Sequence, residues 1–185
     1  PVTHPTLHEE VSPGDVLFAD DGTLRFSVVQ VQGRDIVCCA ERAGTLRSAT
    51  GIYAPSARPR AVQLSGRDQE LIAFAKAQDI EFIGLSFAES GDHVRAVRAV
   101  VDRRSPRIIS KIECQEAIER LAEIIDASDG IMIDRGDLSV ETNLESIALL
   151  QKRILQAAQQ DAKPAIVATQ MLHSMIRSPV PTQAE

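Results

Sequence analysis

Lys111 and Glu113 stand two residues apart in the run Ile109-Ser-Lys-Ile-Glu113, and Asp134-Arg-Gly-Asp137 closes a second apolar run. In a strand, residues i and i+2 project from the same face, so the lysine and the glutamate point together. Carboxylates converging from neighbouring elements suit a hard cation that takes oxygen ligands. A fixed ammonium beside them suits a phosphoryl group in transit, which needs positioning and charge neutralisation more than covalent help. Lys111, Glu113 and Asp137 hold both kinds of group. Taken alone, the pair also reads as a salt-bridged strand end. The following strand-like runs end in polar groups as well, Asp134 and Asp137 and then Thr169-Gln170. On spacing alone a metal or anion site and a structural ion pair stand side by side.

Those residues need a scaffold, and the sequence offers one. From about residue 61 the pattern alternates between short apolar runs and amphipathic stretches. Ser65-Gly-Arg-Asp68 has the form of a helix start, with Ser65 as N-cap and an acid three residues on. Phe82–Ser86, Ile108-Ile109, Ile131–Ile133 and Pro164–Ala168 read as strands. Val94, Val97 and Val101 share a helical face, and Ala117, Ile118, Leu121, Ile124 and Ile125 form a stripe of helical period. Ile147, Leu150, Ile154 and Ala158 form another, and a further helix is expected from Met171 to Ile176. Continuous apolar strands between amphipathic helices indicate an α/β fold with a parallel sheet. Its form is a β/α barrel or an open doubly wound sheet, and no glycine-rich dinucleotide fingerprint follows any strand. The polar residues Ser86, Glu113, Asp137 and Thr169 all fall after strand C-termini, where parallel folds put their chemistry. Beside Asp137, Gly136 is expected to allow unusual backbone angles and close approach of a ligand to backbone N–H groups.

Residues 1–60 read differently. Val16–Phe18, Leu24–Val31 and Ile36–Ala40 are short β-like runs separated by Pro13-Gly14, Asp21-Gly22, Gly33 and Gly44. They suggest a small β module built from hairpins, with Asp20-Asp21-Gly22 as a turn. Two domains follow: 1–60, and 61–185 carrying the strand ends.

The 185 residues carry a net charge of -6, with 44% hydrophobic and 25% charged residues. That balance argues against nucleic-acid binding and against a basic membrane-facing patch. No apolar stretch approaches the ~18 residues of a membrane span, and no segment reads as a secretion signal. Cys38, Cys39 and Cys114 form neither a disulfide framework nor a metal-ligand spacing, so they read as reduced structural thiols of a cytoplasmic protein.

At these residues the chain resembles the pyruvate kinase family. Ile109-Ser-Lys-Ile-Glu113 with Gln115-Glu116, Ala127–Leu138 around Arg135-Gly-Asp137, and Lys163–Leu172 around Thr169-Gln-Met171 resemble three of its strand ends. The likeness runs back through Leu64–Asp68, Ser86-Phe87 and Asp20-Asp21-Gly22. The resemblance implies phosphoryl transfer between phosphoenolpyruvate and ADP, giving pyruvate and ATP, as in glycolysis. The fold it implies is a partial (β/α)8 barrel of the TIM type, with about four β/α units and a small N-terminal β lid. Lys111 would stabilise the transferring group. Glu113 and Asp137 would bind Mg²⁺ or Mn²⁺. Gly136 and Asp137 would hold the enolpyruvate carboxylate through their N–H groups, and Thr169 would line the pocket near the carbon that is protonated.

The chain departs from that pattern in places. Thr50-Gly51 stands where the family has lysine-glycine, Glu89 for an arginine, Cys114 for an asparagine, Gln183 for an arginine, and Asp134 for an alanine. The barrel strands that carry the phosphate arginine and the K⁺ ligands in the family have no counterpart in these residues, so K⁺ is implied without its ligands. A homo-oligomer, or a partner chain that completes the barrel, is expected. Two other readings stay open. One is a catalytically inactive binding or regulatory subunit. The other is a Mg²⁺-dependent aldolase or lyase that acts on pyruvate enolates.

Overall fold

A computed structural model describes residues 2–20, 22–57, 64–101, 105–142, 144–169 and 171–182. The chain divides into two compact units, Pro1–Ala61 and Val62–Glu185.

The first unit opens with a single helical turn, α1 (Leu7–Glu10), which the sequence pattern did not announce. Four strands follow: β1 (Val16–Ala19), β2 (Leu24–Gln32), β3 (Asp35–Ala40) and β4 (Ile52–Tyr53). They form an antiparallel sheet in the order β3-β2-β1-β4. The β1–β2 turn holds Asp20 at φ 54 and Gly22 at φ 80, and Thr23 donates its hydroxyl to the Asp20 carboxylate at 3.0 Å. Aspartate tolerates the left-handed region because its side chain can bond locally. Asp21 lies outside the described residues. Leu7, Val11, Leu17 and Val28 make a small core. Cys38 is half-buried and Cys39 exposed, as alternation along β3 requires.

The second unit begins with α2 (Gly66–Ala77). Its start is a capping box: Ser65 Oγ accepts from the Asp68 N–H at 3.1 Å, and the Asp68 carboxylate accepts from the Ser65 N–H at 2.9 Å. Then come β5 (Phe82–Leu85), α3 (Gly91–Val100), β6 (Arg107–Ile112), α4 (Gln115–Glu119), α5 (Leu121–Ala127), β7 (Gly130–Asp134), α6 (Arg135–Glu141), α7 (Ile147–Gln160) and β8 (Ala165–Ala168). The strands form a four-stranded parallel sheet in the order β5-β6-β7-β8.

The two faces of this sheet differ. Parallel register puts Ile83, Leu85, Ile108, Ser110, Ile112, Ile131, Ile133, Ala165 and Val167 on one face. The apolar members of that set pack in the main core with Val94 and Val97 of α3, Ile124 and Ile125 of α5, Leu138 of α6, and Ile154 and Ala158 of α7. The other face carries Phe82, Ile109, Lys111, Met132, Asp134, Ile166 and Ala168, and none of these belongs to that core. Phe82 and Ile166, on the two outer strands, are exposed.

Two expectations are corrected. The stripe from Ala117 to Ile125 is not one helix. The chain breaks at Arg120, which ends α4 and precedes α5. Both pieces turn their apolar residues into the same core, so spacing alone does not reveal the break. Beyond β8, the expected helix is a 3₁₀ turn, His173–Ile176, preceded by Leu172 at φ 51. None of its residues is buried, so no packed face stabilises anything longer.

Polar groups tie the elements together at the N-terminal end of the sheet. The Asp129 carboxylate accepts from the Ile108 N–H at 2.7 Å and from the Arg98 guanidinium at 2.5 Å, joining α3, β6 and the start of β7. Ser128 gives its one hydroxyl proton to the Ile124 carbonyl, so Ser110 is the donor in the 2.6 Å bond between the two hydroxyls. Burial opposes the Asp129 charge. The Ile108 N–H and Arg98, with Lys163 nearby, outweigh it and hold the carboxyl below its ordinary value of 3.8. A lowered folded pKa contributes stability that is complete above the unfolded value and is lost as pH falls through the folded one. Asp129→Asn is therefore expected to cost about 1–2 kcal/mol at neutral pH. The gap between the urea midpoints of variant and wild type should close on acidification below 3.8; a gap that stays constant would contradict this role.

Candidate active site

Four neighbouring strand ends meet at one rim of the parallel sheet. β6 presents Lys111 and, just past its end, Glu113. β7 ends in Asp134, and Asp137 follows in the first turn of α6. The Lys111 ammonium forms an ion pair with Glu113 and lies 3.1 Å from Asp134 Oδ2. Past β8, the Thr169 hydroxyl donates to Asp134 Oδ1 at 2.8 Å and accepts from the Gly136 N–H at 2.8 Å. Past β5, the Phe87 N–H donates to Glu113 Oε2 at 2.7 Å. Carboxylate oxygens of Glu113, Asp134 and Asp137 all lie within 4.8 Å of one another.

Two of these positions are backbone outliers. Phe87 sits at φ 47 and Thr169 at φ 60, a region that costs a bulky or β-branched residue roughly 1–2 kcal/mol. Each is held there by the bonds just described: Phe87 by Glu113, Thr169 by Asp134 and Gly136. Strain that persists because its surroundings dictate it is characteristic of functional rims.

Comparison with known proteins bears on the same residues. The family model described as pyruvate kinase, barrel domain, matches residues 1–185. The chain belongs to the pyruvate kinase family. It is 36% identical over 187 residues to a pyruvate kinase of Clostridium perfringens, covering 100% of this chain and 40% of the relative. It is 41% identical over 185 residues to one of Mycobacterium tuberculosis, covering 99% and 39%, and 36% identical over 182 residues to one of Thermotoga maritima, covering 97% and 39%. The chain thus spans about two-fifths of the length of these pyruvate kinases.

Within that family setting, the electrostatics of the rim are unbalanced. One ammonium faces three carboxylates, a formal excess of two negative charges. Burial works against the charge on Lys111, yet Glu113 and Asp134 outweigh it and hold its pKa above the usual value. Burial, helped by Asp137, pushes Glu113 up against the lowering pull of Lys111 and the Phe87 N–H. Burial also opposes the Asp134 charge, but Thr169 and Lys111 hold that carboxyl below its usual range. Glu113 is fully buried. Its Oε1 atom faces the Lys111 ammonium and its Oε2 the Phe87 N–H. A buried carboxylate beside two more, with one ammonium among the three, fits a divalent cation with oxygen ligands.

The rim brings Lys111, Glu113, Asp137, Gly136 and Thr169 together. Three details differ from expectation. Gly136 does not adopt a left-handed conformation. Its close neighbour is the Thr169 hydroxyl, 3.3 Å from where a Cβ would sit, a tight contact. Ser86 is exposed, and β5 contributes to the rim through the Phe87 N–H instead. Asp134, absent from the site set inferred from the sequence, lies at its centre. It is the residue in contact with both Lys111 and Thr169, and its signal was the two-residue step from Met132, the β7 partner of Lys111. Next to Glu113, burial pushes the Cys114 thiol up to about 12, so it stays protonated. Arg135 approaches Gln151 at 3.4 Å. His93 is half-buried in the first turn of α3.

A divalent cation held by this cluster would stabilise the fold by mass action. Mg²⁺ or Mn²⁺ at ~100 times its Kd is expected to add about 2.7 kcal/mol. Glu113→Gln and Asp137→Asn should each remove most of that gain, read as the shift in unfolding midpoint on adding the cation. A shift that survives both substitutions would place the cation elsewhere.

Proposed function

We propose that this chain carries the metal- and enolpyruvate-binding part of a site that moves a phosphoryl group between phosphoenolpyruvate and ADP, giving pyruvate and ATP. The observation that carries the reading is the Lys111 ammonium, held at the rim between Glu113 and Asp134 beside Asp137. Loose phosphoryl transfer depends on fixed positive charge at the migrating group, and a lysine locked by two carboxylates provides it without reorganisation. Glu113 and Asp137 would hold Mg²⁺ or Mn²⁺, which would neutralise developing charge and orient the enolate oxygen. Gly136 and Asp137 would meet the substrate carboxylate through backbone N–H groups, and the Thr169 hydroxyl would lie near the carbon that takes a proton. In this structure the Gly136 N–H is engaged by Thr169, so substrate must exchange with that bond. K⁺ belongs to the reading, although none of the residues named here supplies its ligands. The corresponding location is the cytoplasm; among the described residues no helix is long and apolar enough to cross a membrane.

The scaffold in this reading is part of a TIM-type (β/α)8 barrel, with residues 1–60 as the family's lid domain and 61–185 as the barrel domain. Helices packed on only one sheet face support a barrel over a doubly wound sheet, which is covered on both. The second face carries the candidate site and leaves Phe82 and Ile166 exposed. Outer strands with unpaired edges need covering. Further strands from the same polypeptide, a second copy or a partner chain would supply it. Light scattering of the 185-residue chain is expected to report a dimer or larger species, and a stable monodisperse monomer at micromolar concentration would contradict this.

A second reading, a non-catalytic binding subunit, is favoured by one observation: Asp134 already occupies Lys111 and Thr169. Pyruvate formation from phosphoenolpyruvate and ADP, with Mg²⁺ and K⁺ present, separates the two. Under the first reading Lys111→Met lowers kcat by about 10²–10³ with little change in KM. No turnover in an assembly that supplies the remaining strands, with Mn²⁺ binding that depends on Glu113, would favour the second.

A further inference from the structure

Asp134 ends β7 with both carboxylate oxygens in use. Oδ2 faces the Lys111 ammonium at 3.1 Å, and Oδ1 accepts the Thr169 hydroxyl at 2.8 Å. The residue is only 8% exposed, so its charge is poorly screened. A cation and a hydroxyl, fixed side by side, are what an anionic ligand would bind, and here a carboxylate of the chain already binds them. The same carboxylate stands within 4.8 Å of the ligand atoms of Glu113 and Asp137, where its charge attracts a cation. With a divalent cation, the positive charges (two from the ion, one from Lys111) equal the three carboxylates, and the loaded site is formally neutral. Without Asp134 it would carry one positive charge.

We propose that Asp134 is a built-in anion that sets the anion affinity of the site: it competes with incoming anions for Lys111 and Thr169, strengthens the cation, and weakens the binding of an anion more the higher its charge, so that the phosphate ester of the reading above is held less tightly than it would be without Asp134. This rests on the metal-loaded reading above for its cation part. The competition for Lys111 and Thr169 does not depend on a metal. Asp134 acts through those neighbours and through its charge, so it is a positioning residue.

The test uses the whole 185-residue chain and two variants. Asp134→Asn keeps the shape and an acceptor for Thr169, and Asp134→Ala removes the group. Mn²⁺ alone is titrated by electron paramagnetic resonance of the free ion. Inorganic phosphate and pyruvate are titrated by calorimetry, with and without Mn²⁺. Both variants are expected to bind phosphate on the order of tenfold more tightly and Mn²⁺ on the order of tenfold more weakly, the scale of one neighbouring charge. Phosphate should gain more than pyruvate. Opposite signs for anion and cation are the signature, because a merely structural role would weaken both. Phosphate affinity that is unchanged, that falls with Mn²⁺ affinity, or that stays undetectable in every form overturns the proposal. Glu113→Gln separates the two claims: if it leaves Mn²⁺ binding unchanged, the metal reading fails, while the metal-free phosphate titration still decides for or against Asp134.

Discussion

The rim is organised around the ammonium of Lys111, which stands between Glu113 and Asp134. Three carboxylates gathered this closely repel one another, and burial raises the cost of each charge. One cation meets part of that cost and leaves a deficit that a divalent ion would fill. The backbone follows from the same arrangement. Glu113 draws the Phe87 N–H into a conformation a phenylalanine seldom adopts, and Asp134 does the same for Thr169 through its hydroxyl. Loops after two different strands, β5 and β8, are thereby fixed by two acidic side chains. The strain is repaid locally, so these loop positions depend on the rim staying charged.

The sheet divides its work between its faces. One face is isoleucine, valine and leucine against helices, and it supplies the cohesion of the unit. The opposite face gives up apolar burial to hold Lys111, Met132 and Asp134 side by side. The network of Asp129, Arg98 and Ile108 ties the other end of the same strands. The strands are therefore pinned at the end away from the chemistry, while their C-terminal ends are set by ion pairs.

Much of this was readable from residue types. The strands of the second unit, its helix faces, the capping box at Ser65 and the gathering of Lys111, Glu113, Asp137 and Thr169 all follow from periodicity and position. What escaped depended on register or on packing. Asp134 joins the site because Met132 lies opposite Lys111, and pairing register is not written in either strand alone. The break at Arg120 escaped because both sides of it point at one core. For Gly136, unusual backbone angles were expected and are not found; a hydroxyl past the end of β8 lies close to it instead, a contact that no local pattern encodes. Helix α6 escaped because its sequence, Arg-Gly-Asp-Leu-Ser-Val-Glu, carries one buried apolar residue, Leu138, and no stripe.

Every pairing in the parallel sheet joins strands that are consecutive along the chain, β5 to β6, β6 to β7 and β7 to β8. During synthesis, each strand leaving the ribosome therefore finds its partner already made, with the intervening helices to cover the new joint. The acidic residues would gather in the same order: Glu113 first, paired with Lys111 alone, and then Asp134 and Asp137. The excess negative charge thus enters the nascent chain late, only after a cation has been built in to receive it.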